Sequence, residues 1–220
     1  MTIKRMLDAA MILLLPLLMA YSLVGELFHE IAGVAMLGLF IAHHVLNRGW
    51  WKGLTRGRYT PERVFRTALG LLLLAIMILQ PLSGILLSKH LFVFLPAVGF
   101  TAVSRQVHLL LAYWGFVLLS LHAGTHADAM LAALKRRFPK SARVAIGTLG
   151  LIAVYGVYAF FKRQIPGYLL GQIPFAFFDF SEPRGLFLAD YFAMIALFAA
   201  IGDGIVLGLR KIRKRETVPS

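Results

Sequence analysis

Residues 29–44 read HEIAGVAMLGLFIAHH, with His29 at one end, His43 and His44 at the other, and an unbroken run of apolar residues and glycine from Ile31 to Ala42 between them. A run of that character in lipid must satisfy its own backbone groups, and an α-helix does so within the segment. An α-helix advances about 1.5 Å and turns about 100° per residue. Fourteen steps from His29 to His43 therefore rise about 21 Å and stop about 40° short of four full turns. The two imidazoles share one helix face and lie near opposite surfaces of a bilayer. His44 sits about 60° away in the other sense.

The surrounding chain supports a membrane setting. Of 220 residues, 59% are hydrophobic and only 15% are charged, whereas soluble domains carry about 25% charged residues. Six apolar runs approach the roughly 20 residues needed to cross the hydrocarbon core. They are Met6–Val24, Leu27–Leu46, Val64–Leu87, Val107–Gly124, Val144–Phe161 and Leu186–Leu209. The fold expected is an all-α integral membrane helical bundle of about six transmembrane helices. No repeat or low-complexity linker divides it, so residues 1–220 read as a single membrane domain.

A net charge of +13 could point to nucleic acid, but its placement argues for topology. With the N-terminus inside, only Lys89, Arg105, Lys162, Arg163 and Arg184 fall outside, and the other eighteen of the 23 basic residues fall inside. That is the positive-inside pattern of a multi-pass protein, here of a bacterial inner membrane with both termini cytoplasmic, and it excludes a nucleic-acid partner. Lys4 and Arg5 before an apolar run resemble a signal peptide. Without a clear small-x-small cleavage site, the run is expected to stay as the first helix. The absence of cysteine excludes disulfides, cysteine-ligated iron–sulfur clusters and thioether-attached haem.

The connections are legible in part. A very short turn near Gly25 and Glu26 joins the first two runs, and Pro61 after Thr60 is placed to start the third helix. The loop KHLFVFLPAVGFTAVSR is apolar and lies outside. The stretch RQIPGYLLGQIPFAFFDFSEPRG holds Tyr168, Phe175, Phe177, Phe178 and Phe180 among three prolines, so a regular spanning helix is not expected there. It reads as an aromatic segment in the outer interface, with a docking surface or quinone-entry wall as the sharper alternative.

The fourth run repeats the spacing of the second. His108 and His122 are also fourteen apart in RQVHLLLAYWGFVLLSLHAGTH. Both helices run from outside to inside, which puts His29 level with His108 and His43 level with His122. Facing neutral imidazoles form an axial ligand pair for the iron of a non-covalent b-type haem, and two levels predict two haems. The expected haem-binding four-helix core covers about residues 6–126, with additional helices over about 144–209. One intramembrane histidine could simply bond a neighbouring helix. Four at matched spacing are harder to place that way, because ionisable groups in lipid are costly.

Glycines add to the pattern. Gly70 and Gly84 on the third helix are fourteen apart, and Gly33 and Gly115 lie on the ligand faces, where a missing Cβ admits a bulky group. His44 and His126 are the alternative inner ligands, and His90 reads as an interfacial residue. The HEIAG stretch lacks the second histidine of a HExxH zinc site. Arg105 and Lys89 outside, and Arg48 and Lys52 inside, are candidate partners for haem propionates. Irons with two axial ligands each would shuttle electrons across the membrane rather than bind oxygen.

The whole chain resembles the flavinylation-associated cytochromes, a bacterial family of membrane di-haem cytochromes b. The resemblance lies in HEIAGVAMLGLFIAHHVLN, the PLSGILLS end of the third helix, HLLLAYWGFVLLSLHAGTH, and FAFFDF ahead of a last helix with Asp190 and Tyr191. It implies His29, His43, His108 and His122 as ligands. It also implies an electron-transfer subunit linking the quinone pool or a cytoplasmic-side donor to an extracytoplasmic flavoprotein. No flavin-attachment motif is recognisable in this chain, so any FMN belongs to a partner. Quinone is a further candidate ligand. Asp203 and Asp190 in the last helix are intramembrane carboxylates, with Asp203 expected to pair with a cytoplasmic-side arginine. The competing class is a histidine-containing transporter or metal- or proton-handling membrane protein without haem. Its polar groups usually gather at the midplane, whereas here the midplane is apolar.

Overall fold

The computed structural model describes residues 3–95 and 101–216, so Pro96–Phe100 of the apolar outer loop lies outside the described residues. The described residues form α-helices with no strand among them. In chain order the helices are α1 (Ile3–Met19), α2 (Tyr21–Val24), α3 (Glu26–Leu46), α4 (Gly49–Gly53), α5 (Pro61–Leu87), α6 (Thr101–Gly124), α7 (Ala127–Arg137), α8 (Pro139–Lys162), α9 (Ile165–Leu169) and α10 (Arg184–Glu216). Five of them, α3, α5, α6, α8 and α10, are long and apolar enough to cross a membrane. This is an all-α, multi-pass membrane protein.

The first apolar run differs in detail from one continuous span. Its helix α1 has 17 residues with Pro16 inside, a length of about 26 Å. The Ala20 N–H then bonds the Leu17 carbonyl at 3.2 Å, one residue short of the α-helical register, and the chain restarts as α2. Gly25 follows at φ +83°, a conformation that L side chains resist, and it turns the chain into α3. At α5 the expected start is observed. Pro61 opens the helix, and the Thr60 hydroxyl accepts the Arg63 N–H at 3.3 Å as an N-cap. The aromatic stretch after α8 forms only the five-residue α9 before its irregular continuation, as the prolines require.

Two compact units divide the chain: Met1–Arg56, Leu74–Gly115 and Gln164–Ala189 in the first, and Gly57–Leu73, Phe116–Arg163 and Asp190–Ser220 in the second. In the first unit α1 packs along α3. The Glu30 carboxylate fastens the chain beyond α5, accepting the Ser88 hydroxyl at 2.7 Å and the N–H groups of Lys89, His90 and Leu91 at 2.8, 3.3 and 2.8 Å. Tyr113 stacks on Tyr168 at 4.0 Å, and the Trp114 indole donates to the Leu169 carbonyl at 3.0 Å, which fixes α9 against α6.

In the second unit α8 is built for lipid. Ala142, Ala153, Gly156 and Ala159 are buried, while Val144, Leu151, Val154, Tyr158 and Phe161 are each at least 60% exposed. Small residues inward and large apolar residues outward are the arrangement of a membrane helix, whose solvent on the outer face is hydrocarbon. A Cβ on Gly156 would collide with the Ala193 carbonyl, so α8 and α10 meet backbone to backbone. The polar ends are braced by ion pairs. Arg210 forks onto Glu62 with two bonds of 2.9 Å and also reaches Asp128, which ties α10 to α5 and α7. Arg210→Ala is expected to cost about 1 kcal/mol, seen as a lower melting temperature of the detergent-solubilised protein, because it removes the cation shared by Glu62 and Asp128 while Glu62 keeps Arg66 at 3.0 Å.

Candidate functional site: the His29–His108 pair

The first unit brings His29 of α3 and His108 of α6 together. Their ring centres are 6.1 Å apart and their planes are inclined at 70°. His29 stands in the first turn after Gly25, and its own N–H bonds the Gly25 carbonyl at 3.0 Å. The Tyr21 ring lies edge-on at 5.2 Å. The His29 Nδ1 is buried without a hydrogen-bond partner, a state that costs about 1–3 kcal/mol unless something satisfies it.

His108 is held from α5. Pro81, inside α5, has no N–H to give to the helix ladder. In the same turn the Gln80 carbonyl accepts from the Ser83 hydroxyl at 2.8 Å and from His108 Nδ1 at 3.2 Å. Ser83 Oγ is also 3.1 Å from His108 Nδ1. These acceptors assign the ring proton to Nδ1 and leave the lone pair on Nε2. The side-chain amide of Gln80 donates to that Nε2 at 3.3 Å, and the Gln80 Oε1 is itself buried without a partner.

Gly84 allows the ring to sit there. A Cβ on Gly84 would lie 3.1 Å from His108 Cε1, so its space is filled by the imidazole. Gly84→Val is expected to displace the His108 ring and destabilise the fold by about 1–3 kcal/mol, measured as a fall in the detergent melting temperature.

The 6.1 Å between ring centres equals the separation of two imidazoles that share one ion. A metal–imidazole bond is about 2.0 Å, and the ring centre lies about 1 Å behind the nitrogen, so two imidazoles facing across one ion have centres about 6 Å apart. Among the described residues no group of three or more His, Asp or Glu side chains converges as a metal site. Two imidazole nitrogens are the donors this pair can offer.

The other site residues from the sequence fall as follows. His43, in the first unit, has its Nδ1 2.8 Å from Asp8 Oδ1. His44 instead packs among aromatic rings, 4.5 Å from Phe40 and 5.4 Å from Trp51. His122 belongs to the second unit, with the exposed His126 ring 5.2 Å away. Gly33 has nothing within 4 Å of its missing Cβ, whereas Gly115 is buried against Ile76, with a Cβ–Cγ2 distance of 3.2 Å. Gly70 lies in α5 within the second unit. Arg105 is exposed one turn before His108, its guanidinium 5.9 Å from the Phe175 ring. Lys89 pairs with Glu26 at 2.5 Å, and His90 approaches the same carboxylate at 3.7 Å. Arg48 and Lys52 are exposed.

Asp8, Gln80 and Ser83 are the polar groups that sequence reading misses. The signal for Asp8 was present, because it is the only acidic residue in its apolar run, Met6–Val24. No protein-family model, curated protein or solved structure matches this chain.

Proposed function

We propose that this protein carries electrons across a membrane through b-type haem, and that His29 and His108 are the axial ligands of its outer centre. The observation that carries this reading is the 6.1 Å separation of two imidazoles from different helices, one with a fixed tautomer and one with an orphaned buried nitrogen. Bound there, haem would supply a one-electron ferric–ferrous couple. The chain's own part is to aim two nitrogens, keep their lone pairs free of protons, and surround the pair with apolar helix that excludes water. For His108 Nε2 to hold a metal, the Gln80 amide that now donates to it at 3.3 Å would have to turn away.

The second haem of this proposal, on His43 and His122, rests on their fourteen-residue spacing in the sequence. The location proposed is a bacterial inner membrane with both termini cytoplasmic, supported by the distribution of basic residues. The partner proposed is an extracytoplasmic flavoprotein that carries its own FMN, with quinone or a cytoplasmic-side protein at the other end. Resemblance to the flavinylation-associated cytochromes supports this part.

Purification of the full chain from haem-replete membranes tests the proposal. The expected product is red, with a reduced-minus-oxidised spectrum of b-type haem and two haems per chain by pyridine haemochrome assay. A colourless, monodisperse protein would turn the histidines toward ion or proton handling.

A further inference from the structure

Helix α3 is long and apolar enough to cross a membrane and ends at Leu46, yet ordered backbone continues past it. The Asn47 N–H bonds the His43 carbonyl at 3.0 Å and the Trp50 N–H bonds the Asn47 carbonyl at 2.8 Å. The N–H groups of Leu54 and Arg56 then reach the Trp51 and Gly53 carbonyls at 3.3 and 3.1 Å. Residues 47–56 are thus a run of tight turns that includes α4. Within it the Trp50 and Trp51 rings meet edge to face at 5.0 Å, and both approach His44, at 6.3 and 5.4 Å. Trp51 is 42% exposed, and Val45 and Leu46 just before the turns are exposed as well. Arg48, Lys52 and Arg56 are interleaved with these rings, and all three are exposed. Residues 47–56 contain no acid, and among the described residues none of the three cations is paired with a carboxylate.

Exposed aliphatic residues, then indoles, then exposed cations are the order in which a chain leaving a bilayer meets hydrocarbon, interface and headgroup. Indole rings settle at the boundary of hydrocarbon and headgroups. Long basic side chains lay their stems along apolar surface and hold the charge at the polar level. A topology signal accounts for cations in this loop but requires no tryptophan beside them. We infer that residues 47–56 form a docking surface for anionic phospholipid. Trp50 and Trp51 seat at the acyl boundary of the leaflet at the Leu46 end of α3, and Arg48, Lys52 and Arg56 take the phosphates of its headgroups. A zwitterionic headgroup carries its own cation to the same place and neutralises less, so three cations without a carboxylate select the anionic lipid. The inference uses only the spanning character of α3 and stands apart from the haem proposal.

Quenching of tryptophan fluorescence by brominated lipid tests it on the purified full chain in vesicles of equal parts phosphatidylglycerol and phosphatidylcholine. Bromine is placed on the acyl chains of one lipid or of the other. Stronger quenching by brominated phosphatidylglycerol is expected, corresponding to a local ratio of about five to one or more, since one cation near an anionic surface contributes about that factor. Combining Arg48→Gln, Lys52→Gln and Arg56→Gln is expected to bring the two quenching levels together. Trp114, the third tryptophan, contributes equally before and after the substitutions. About 0.5 M salt is expected to shrink the preference of the unmodified chain in the same way, a result that does not depend on how the variant folds. Equal quenching by the two lipids in the unmodified chain at low salt would overturn the inference and leave these cations for an acidic protein partner. A preference that survives in the triple variant would overturn it too, by moving the lipid site elsewhere.

Discussion

Asp190→Ala is expected to be the most damaging single substitution in this chain, costing about 3–5 kcal/mol. The carboxylate is fully buried, and its Oδ2 takes Lys162 Nζ at 2.9 Å and the Arg163 guanidinium at 2.7–2.8 Å, while Oδ1 takes the Tyr155 hydroxyl at 2.6 Å. Lys162 and Arg163 are only 26% and 12% exposed. Removing the anion leaves two poorly hydrated cations side by side at the end of α8. Their repulsion adds to the desolvation that Asp190 had offset. For a chain of this length the loss corresponds to a fall of about 10 °C in melting temperature. Thermal unfolding in detergent reads it directly, and a change below about 2 °C would mean that water or lipid headgroups satisfy these cations without Asp190.

The next largest effect is expected from a single methyl group. A Cβ on Gly124 of α6 would overlap the Ala199 carbonyl, and a Cβ on Gly202 of α10 would overlap the Leu121 carbonyl. The two glycines are reciprocal, each making room for the backbone of the other helix. Backbone cannot swing aside as a flexible side chain can, so Gly124→Ala or Gly202→Ala must push the helices apart. Overpacking of a close interface costs about 1–3 kcal/mol and sometimes more, and the upper end applies here. Gly204→Ala on the same helix is the control, since nothing lies within 4 Å of that position. It is expected to be neutral or mildly stabilising, as alanine is the better helix former. Equal losses at positions 202 and 204 in a melting assay would show that helix propensity, not close approach, sets the result.

Much of the fold was legible because bilayer thickness and helical pitch are rigid rulers. The ends expected at Leu46, Leu87 and Gly124 are the observed ends of α3, α5 and α6, and Thr60–Pro61 marks the start of α5 by its cap chemistry alone. The break at Ala20 was less visible, because an apolar run reports burial in lipid and not continuity of hydrogen bonding. The short helices α4, α7 and α9 lie in stretches too polar or too brief for a hydropathy pattern to reveal.

One approach between helices was legible to the same depth. Spacing puts His29 and His108 at one level, and the structure brings them to 6.1 Å. Which groups stand behind them depends on which helices are neighbours and how each is rotated, and sequence periodicity does not fix either. Gln80 and Ser83 reach His108 because α5 faces α6 there, and Asp8 reaches His43 through the packing of α1 on α3. Gly84 illustrates the same limit. Its position on the helix suggested room for a cofactor face, and in the structure that room holds the His108 ring.

The most direct test of the central proposal is the haem content of His29→Ala and His108→Ala, each purified alongside the unmodified chain and examined by low-temperature electron paramagnetic resonance. Two haems in the unmodified chain, and loss of the same low-spin ferric signal in both variants with the other retained, is the result expected. Two haems and an unchanged spectrum in either variant would contradict a shared iron between α3 and α6.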